Sequence, residues 1–542
     1  MKIASLVADI LVQRGITDAA AQARFLQPAY TDLHDPFLLA DMATAVERIQ
    51  QAIEKEESIV VYGDYDIDGL TATTLLLDGL GAMGAKISAY IPDRFEEGYG
   101  INTAALKKLQ RQGADLIITV DCGSTSHAPL EWAAAHNLEV IVTDHHTLTD
   151  TLPPAVAMIN PKRADNRYPF TDLAGVGVAF KLVQGLQQRG LLPEGREKWL
   201  LDLVALGTVC DVVGLVGENR ILVSYGLKVF AQTPRMGLQA LLAVAGVERD
   251  RVDTYHFGFV LGPRMNAAGR LEHAKLALSL LMATDKGEAR EIAERLDRLN
   301  AERRRQQDEI MALALVEAEK YRDDPVLVLS HPDWNHGIVG IVAAKLMERF
   351  AKPTIVMQEM GEETKGSARS LGSFSVVEGM RSADKLLLKY GGHHVAAGCS
   401  LKTTDVAAFR QQLNDFFRAG EYGDLRPQPR TDVSLSDLSM MSESMRQELE
   451  QLAPFGMGNP KPQLHLPAAR LLRVQTVGSD RRHVKLQLSD GERYLDGIGF
   501  GLAEAVGEIG EQADVWFELD ENEFRGQRNL QALIKAVQSC KD

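Results

Sequence analysis

Residues 58–69 read SIVVYGDYDIDG, a short apolar run followed by Asp64, Asp66 and Asp68. Two more runs have the same form. One spans Asp115 to Val120 and ends in Asp121-Cys122-Gly123; the other spans Leu138 to Thr143 and ends in Asp144-His145-His146. Each is rich in Val and Ile and precedes a helical pattern, which is how parallel strands of an open α/β sheet read. The carboxyl ends of such strands open on one crevice, where ligands bind. Five Asp and two His can therefore meet at one site, and that density of like charge is costly unless cations are held there.

If Asp66 and Asp68 both lie in an extended strand end they share a face and can hold two cations side by side. Asp121 is placed to bridge them, and His145 adds an imidazole. Mixed carboxylate and imidazole ligation suits Mn²⁺, and Mg²⁺ less well. Two ions ~3.5–4 Å apart activate a water and stabilise both the attacking and the leaving oxygen of a phosphoryl displacement. No Ser or Cys nucleophile is then required. A single such Asp is as easily a helix N-cap; three strand ends in succession with adjacent histidines are not explained that way.

Working outward, β and α patterns alternate from Ser58 to about Met158, implying right-handed crossovers and a parallel sheet. Residues 1–55 read as an N-terminal helical segment with a connector near Asp35-Pro36, and 56–285 as the catalytic α/β domain. Residues 286–322 read as one connecting helix. Ile292, Leu296 and Leu299 form one apolar stripe on it, Ile310, Leu313 and Val316 another, and Arg303, Arg304, Arg305, Gln306 and Gln307 lie between. A helix polar in the middle suggests a solvent-crossed connector, its Arg run a solvated face or a DNA-facing one. Residues 323–425 form a smaller α/β unit. In 426–542 the short β-like runs (VKLQL, YLDGIGF, DVWFEL) suggest a small barrel or sandwich.

The 542 residues allow about three or four domains. A hydrophobic content of 45% and charged content of 25% are those of a soluble globular chain. There is no secretory signal and no apolar run of the ~20 residues that span a bilayer. Cys122, Cys210, Cys399 and Cys540 lie far apart with no CxxC pair, which argues against a zinc ribbon and fits a reducing cytoplasm. The net charge of −15 alone argues against a nucleic-acid partner, but local fields and bound cations outweigh the total.

DYDIDG, VDCG and TDHH resemble the first three motifs of the DHH phosphoesterases, a family named for its Asp-His-His run, and LVALGTVCDVVGL is similar to the fourth. GPRMNAAGRL (262–271), GSARS (366–370) and GGHHVAAG (391–398) resemble the branch carrying a DHHA1 domain, and PFGMGNP (454–460) the entry to a C-terminal OB-fold in its single-strand-specific exonucleases. The resemblance implies a DHH parallel-sheet domain joined by a long helix to a smaller α/β DHHA1 domain, followed by an all-β OB-fold. It implies a 5′→3′ exonuclease specific for single-stranded DNA that releases 5′-mononucleotides in DNA repair and recombination. The implied partners are a single strand with a 5′ end, a single-stranded-DNA-binding protein and a helicase, with no membrane and a monomeric state.

Residue by residue, the resemblance implies that Asp66 and Asp121 hold one metal, and that Asp68, Asp121, His145 and Asp211 hold the other. His146 would contact the scissile phosphate, with Asp64 and Asp144 in support. Tyr62 stands where phosphatase-like members carry a ligating His. With an ordinary pKa of ~10 it is a poor ligand, so a water is expected in its place, and Cys210 is expected to pack. A 5′-phosphate needs fixed cationic donors, and Arg94, Arg264, Asn266, Ser367 and Arg369 are the candidates. Tyr99 could stack on a base, at ~1–3 kcal/mol, or be a core aromatic. Gly392 would let backbone approach phosphate, and His393 would donate to it or be structural. In the barrel, Arg481, Arg482, His483, Lys485, Phe524, Arg525 and Arg528 supply the basic and aromatic mixture that OB-folds use on single strands. Two rivals are a DHH phosphodiesterase of oligoribonucleotides or cyclic dinucleotides, usually shorter and without an OB-fold, and a non-catalytic scaffold that has lost its carboxylates.

Overall fold

The computed structural model describes residues 5–540 apart from 95, 99, 479, 480, 508, 525 and 526. Tyr99 and Arg525 lie outside the described residues, as does the side chain of Phe524.

Strands β1 (Ser58–Gly63), β2 (Lys86–Tyr90), β3 (Leu116–Val120), β4 (Glu139–Thr143) and β5 (Ala157–Ile159) form one parallel sheet in the order β2-β1-β3-β4-β5. Period-two alternation sends Ile59 and Val61 to one face, and Val60 and Tyr62 to the other. Both faces are covered by helices, so β3 is buried along its whole length. The helices Ile67–Ala82, Gly175–Gln188 and Leu201–Cys210 pack on the first face, and all three end or begin at the sheet's carboxyl edge.

The connecting helix runs from Lys286 to Lys320, with Asp285 as its N-cap. Its composition misleads in two respects. Leu313 and Val316 are exposed, and the buried stripe is Ile310, Ala314 and Ala318. These positions lie four apart on one face, and alanine lets the helix His336–Phe350 approach closely. Nor is the polar middle wholly solvent-crossed. Asn300, Arg303 and Gln307 are buried, with Arg303 donating to Asn300 Oδ1 at 3.0 Å and Gln307 Oε1 at 3.3 Å. Arg304 and Arg305 are exposed and form the solvated part of the run, Arg305 paired with Glu302 and Glu309.

The second sheet comprises β6 (Leu327–His331), β7 (Thr354–Met360), β8 (Glu363–Arg369), β9 (Leu387–Gly392) and β10 (Ala396–Lys402), in the order β6-β7-β8-β10-β9. Only β6 and β7 run parallel. The third comprises β11 (Val433–Ser434), β12 (Leu464–Val477), β13 (His483–Ser489), β14 (Tyr494–Gly499), β15 (Gln512–Phe524) and β16 (Gln527–Ser539). Pairing of β12 with β15 closes β12-β13-β14-β16-β15 into a barrel. The first helix, Ser5–Gln13, inserts Val7, Ile10 and Leu11 into the barrel's core, so the two ends of the chain share one hydrophobic cluster. Among the described residues no helix is long and apolar enough to cross a membrane.

Candidate metal centre and its cleft

Chain direction changes at three points on the carboxyl edge of the first sheet, and each change aims carboxylates inward. After β1 the strand ends at Gly63, Asp66 caps the next helix by accepting from Gly69 N at 3.1 Å, and Asp68 sits in the helix's first turn. The two therefore do not share an extended strand end; helical winding sends them to different groups. Asp68 Oδ2 accepts from Gly175 N at 2.6 Å and its Oδ1 from Val176 N at 2.8 Å. After β3, Asp121 takes a left-handed backbone, φ 59°, and its N–H donates to Thr143 O on β4. After β4, Asp144 accepts from the backbone N–H of Ser124, His145 and His146 and from His146 Nδ1, the last at 2.7 Å.

The ligand-type atoms fall into groups that meet at Asp121. His145 Nε2 lies 3.2 Å from Asp121 Oδ1, 3.7 Å from Asp211 Oδ2 and 3.8 Å from Asp68 Oδ2. Asp68, His145 and Asp211 form one set with metal-ligand spacing; Asp64, Asp66 and Asp121 form another. Asp64, read from sequence as support, thus stands among the candidate ligands. Asp211 ends the helix Leu201–Cys210, reaching the site from outside the three strand ends.

Burial dominates the electrostatics. It pushes Asp211 up to about 9, with Asp68 and Asp66 adding repulsion, and Asp68 up to about 7, with Asp66 adding to it. Asp64 and Asp121 are also driven well above the usual carboxylate range, by burial and then by neighbouring carboxylates. Burial lowers His145 to about 3, helped by His146, so its imidazole is neutral at pH 7 and able to ligate. Asp144 differs. Burial would raise it, but the hydrogen bond and charge of His146 outweigh that and hold it below the usual range. The same pairing raises His146 against the effect of burial.

These residues fit divalent cations. Asp64 Oδ1, His145 Nε2 and Asp211 Oδ2 are buried without a hydrogen-bond partner among the described residues, which is costly in a protein interior unless something else satisfies them. A hard oxygen set with one imidazole is the donor chemistry of Mn²⁺ or Mg²⁺. Packing leaves little slack. A Cβ on Gly175 would sit 2.7 Å from Asp121 Cβ and 2.9 Å from Asp68 Oδ2.

Tyr62 is not part of the set. It points to the opposite face of the sheet, fully buried against Tyr90, and donates to Gly100 O at 3.1 Å. Cys210 packs, its thiol donating to Phe257 O at 3.5 Å.

Asp64, Asp66, Asp121 and Asp211, with His146, border a cleft of about 350 Å³ that Arg94, Asn266 and Arg270 also line. The Arg94 guanidinium lies 4.9 Å above the Tyr65 ring. Burial pulls Arg270 down to about 10, and Arg94, Arg303 and Arg369 lower it further. None of these four is in a salt bridge among the described residues. Arg270 Nη1 donates to Gly337 O, tying the first domain to the helix that follows β6. Ser367 and Arg369 lie on β8, and the register Arg369↔Ala396, Ala397↔Gly392 brings Gly392 to the same corner of the sheet. His393 is exposed at the turn after β9. Arg264 is not brought to the cleft; it is held by Asp297 on the connecting helix at 2.9 Å and by Val260 O. Reading the sequence missed Arg270, Gly175 and Asn160, the last of which bonds Ser124 Oγ and His146 O from the end of β5.

Three family models match the chain in order: the DHH family, N-terminal domain, over 58–208, the DHHA1 domain over 323–419 and the RecJ OB domain over 431–536. The single-stranded-DNA-specific exonuclease RecJ of Dickeya dadantii is 37% identical over 98% of this chain and 95% of its own. The chain belongs to the RecJ family. The RecJ of Bacillus subtilis is 39% identical over 99% of this chain, which spans 68% of that longer protein. A crystal structure of Thermus thermophilus RecJ in complex with Mn²⁺ superposes with a TM-score of 0.86 at 30% identity, covering 99% of this chain and 76% of that one. RecJ architecture thus accounts for all three sheets and for the helix that joins the first two.

Proposed function

We propose that this RecJ-family chain is a 5′→3′ exonuclease of single-stranded DNA that hydrolyses phosphodiesters with two divalent cations, Mn²⁺ in preference to Mg²⁺. The observation that carries the reading is a pair of carboxylate-rich ligand groups meeting at Asp121, in a cleft whose wall bears guanidiniums without carboxylate partners among the described residues. Asp68, His145, Asp211 and Asp121 would hold one cation; Asp66, Asp64 and Asp121 would hold the other. Bound there, the ions supply Lewis acidity toward the phosphate and lower the pKa of water. Asp144 fixes His146 with Nδ1 as the donor, so that Nε2 is the nitrogen available to a phosphate oxygen. Arg94, Arg270 and Arg369, with Asn266 and Ser367, would receive the terminal 5′-phosphate, since guanidinium forks match phosphate geometry. The barrel, carrying Arg481, Arg482, His483 and Lys485 on and beside β13, would hold the trailing strand.

The barrel also weighs against a dinucleotide or oligoribonucleotide phosphodiesterase, which has no use for a second strand-binding domain. We place the protein in the cytoplasm as a monomer, recruited by a single-stranded-DNA-binding protein or a helicase. The four cysteines are unpaired thiols, as a reducing compartment requires. The test is digestion of 5′- and 3′-labelled single strands with Mn²⁺ and with Mg²⁺. Mononucleotides released from the 5′ end, faster with Mn²⁺ and slowed on duplex, are expected. Release from the 3′ end, or equal rates on a dinucleotide, would overturn the reading.

A further inference from the structure

Between β2 and the helix Thr103–Arg111 the chain crosses residues 91–102, which bring Arg94 to the wall of the metal cleft. Among the described residues of that segment there is neither helix nor strand. No ladder of backbone bonds fixes its path, so its polar groups must be held by other means. Glu97 supplies one. Its Oε1 accepts from Asp93 N at 2.9 Å, and its Oε2 accepts from Tyr90 OH at 2.8 Å and from Asn102 Nδ2 at 3.0 Å. Glu97 N and Gly98 N return to Asp93 O at 2.9 and 3.1 Å. One carboxylate thus joins the last residue of β2, the residue before Arg94 and the N-cap of the next helix. Burial would raise Glu97, but the bonds from Asp93, Asn102 and Tyr90 outweigh it and hold the carboxyl below its usual range. These three partners are neutral, so the bonds fix a shape and do not cancel a charge.

Tyr62 supplies a second tie. It stands on β1 four residues before Asp66, fully buried on the face away from the metal ligands. Its hydroxyl donates to Gly100 O at 3.1 Å and lies 3.4 Å from Asn102 Nδ2. The segment turns at this point, with Gly98 at φ 80° and Gly100 at φ 84°, a conformation that glycine adopts without steric cost. Neither Glu97 nor Tyr62 lines the cleft. Arg94 does, with the Tyr65 ring beneath it at 4.9 Å.

We propose that Glu97 and Tyr62 are positioning residues for Arg94: from outside the cleft they set the path of 91–102 so that the guanidinium meets the terminal 5′-phosphate. A donor already in place when its ligand arrives binds better than one that must be ordered, and small displacements of such a donor are costly. The arrangement also accounts for Tyr62, which the metal centre leaves unused. A role in stability alone would act on every substrate alike, whereas positioning acts only where Arg94 has a phosphate to bind. The inference rests on the reading of Arg94 as part of the 5′-phosphate site.

The test compares steady-state cleavage of 5′-phosphorylated and 5′-hydroxyl single strands by the full chain with Mn²⁺. Glu97→Ala is expected to raise KM for the phosphorylated strand about fivefold or more, with little change in kcat and none in KM for the hydroxyl strand. Tyr62→Phe, which removes one hydroxyl and keeps the ring, should move KM the same way by a smaller factor. Glu97→Gln, which keeps one acceptor oxygen, should fall between alanine and wild type. In an Arg94→Ala background Glu97→Ala should add nothing, because two residues acting through one contact are not additive. Equal losses on both kinds of end overturn the positioning role, as does an effect of Glu97→Ala that adds in full to that of Arg94→Ala. So does an unchanged phosphate preference in Tyr62→Phe, the variant that decides the matter should Glu97→Ala fail to fold. A wild-type chain that cuts both kinds of end equally well would instead overturn the 5′-phosphate reading, and the proposal with it.

Discussion

At Asp121 the backbone adopts a conformation that non-glycine residues rarely occupy, and its carboxylate sits where both ligand groups need it. Held strain of that kind belongs to sites that surroundings over-determine, and here Thr143 O and Gly175 supply the determination. The same crowding makes the site's charge state a matter of pH. Asp68 and Asp211 titrate near 7 and 9 in the folded, metal-free chain, against about 3.9 unfolded. A raised carboxylate pKa means that the folded state binds the proton more tightly, so these groups cost stability increasingly as pH rises above about 4, until each folded pKa is passed. His145 acts in the opposite sense, but only below its unfolded pKa of about 6.5. Between pH 6.5 and 9, then, the chelated protein should melt at progressively lower temperature as pH rises. Mn²⁺ should remove the trend, and its affinity should climb over the same window as it displaces protons. Differential scanning fluorimetry with and without chelator measures this; a flat melting temperature in chelator from pH 6.5 to 9 would count against the buried-carboxylate account.

Among the elements, the three strands of the first sheet were legible because burial on both faces leaves an almost continuous apolar run with a polar stop. The division of Asp66 from Asp68 was not, since it depends on the helix beginning four residues after Gly63, and boundaries are the least visible part of a pattern. Asp64 was legible as one of the five Asp at the strand ends, but nothing in its spacing set it among the ligands rather than in support. Arg270 had a signal of its own. In GPRMNAAGRL, Asn266 and Arg270 are one helical turn apart and share the cleft, whereas Arg264, two residues before Asn266, falls about 200° away and meets the connecting helix. Reading the motif as a helix face would have exchanged Arg264 for Arg270. The two residues therefore separate by experiment. Arg270→Ala should raise KM for 5′-phosphorylated strands about tenfold or more and reduce the preference over 5′-hydroxyl strands. Arg264→Ala should leave that preference intact and act through lost packing on the connector. Steady-state kinetics on the two kinds of end decides between them; an unchanged phosphate preference in Arg270→Ala would remove it from the site.

Across the whole molecule, the barrel is not simply appended to the end of the chain. The first helix completes its core, and Arg14 reaches Asp432, Asn459 and Pro460 O. Such contacts, more than 400 residues apart, leave no local trace in sequence. One buried guanidinium ties this unit to the catalytic domain. Arg220, on the helix Gly217–Phe230, lies 3.8 Å over the Phe25 ring and donates to Phe25 O and Ala453 O at 2.7 Å and to Pro454 O at 3.4 Å. It has no carboxylate partner among the described residues; burial and the nearby Arg14 pull it down to about 10, so its hold on the barrel is through carbonyls and the ring. Arg220→Ala would take the guanidinium from the Phe25 and Ala453 carbonyls, at about 1–3 kcal/mol each where water cannot reach, while Pro454 O keeps its bond from Asn459 Nδ2 and every candidate metal ligand stays in place. Mn²⁺ binding should therefore stay at its wild-type level, affinity for long single strands should fall several-fold, and proteolysis in the polar stretch 420–431 should accelerate. Limited proteolysis alongside strand titration tests whether barrel and cleft act on one strand because this joint holds them together. Unaltered cleavage and unaltered strand affinity in Arg220→Ala would mean that the remaining contacts, Leu215 to Met457 and Thr254 to Phe455, suffice to hold it.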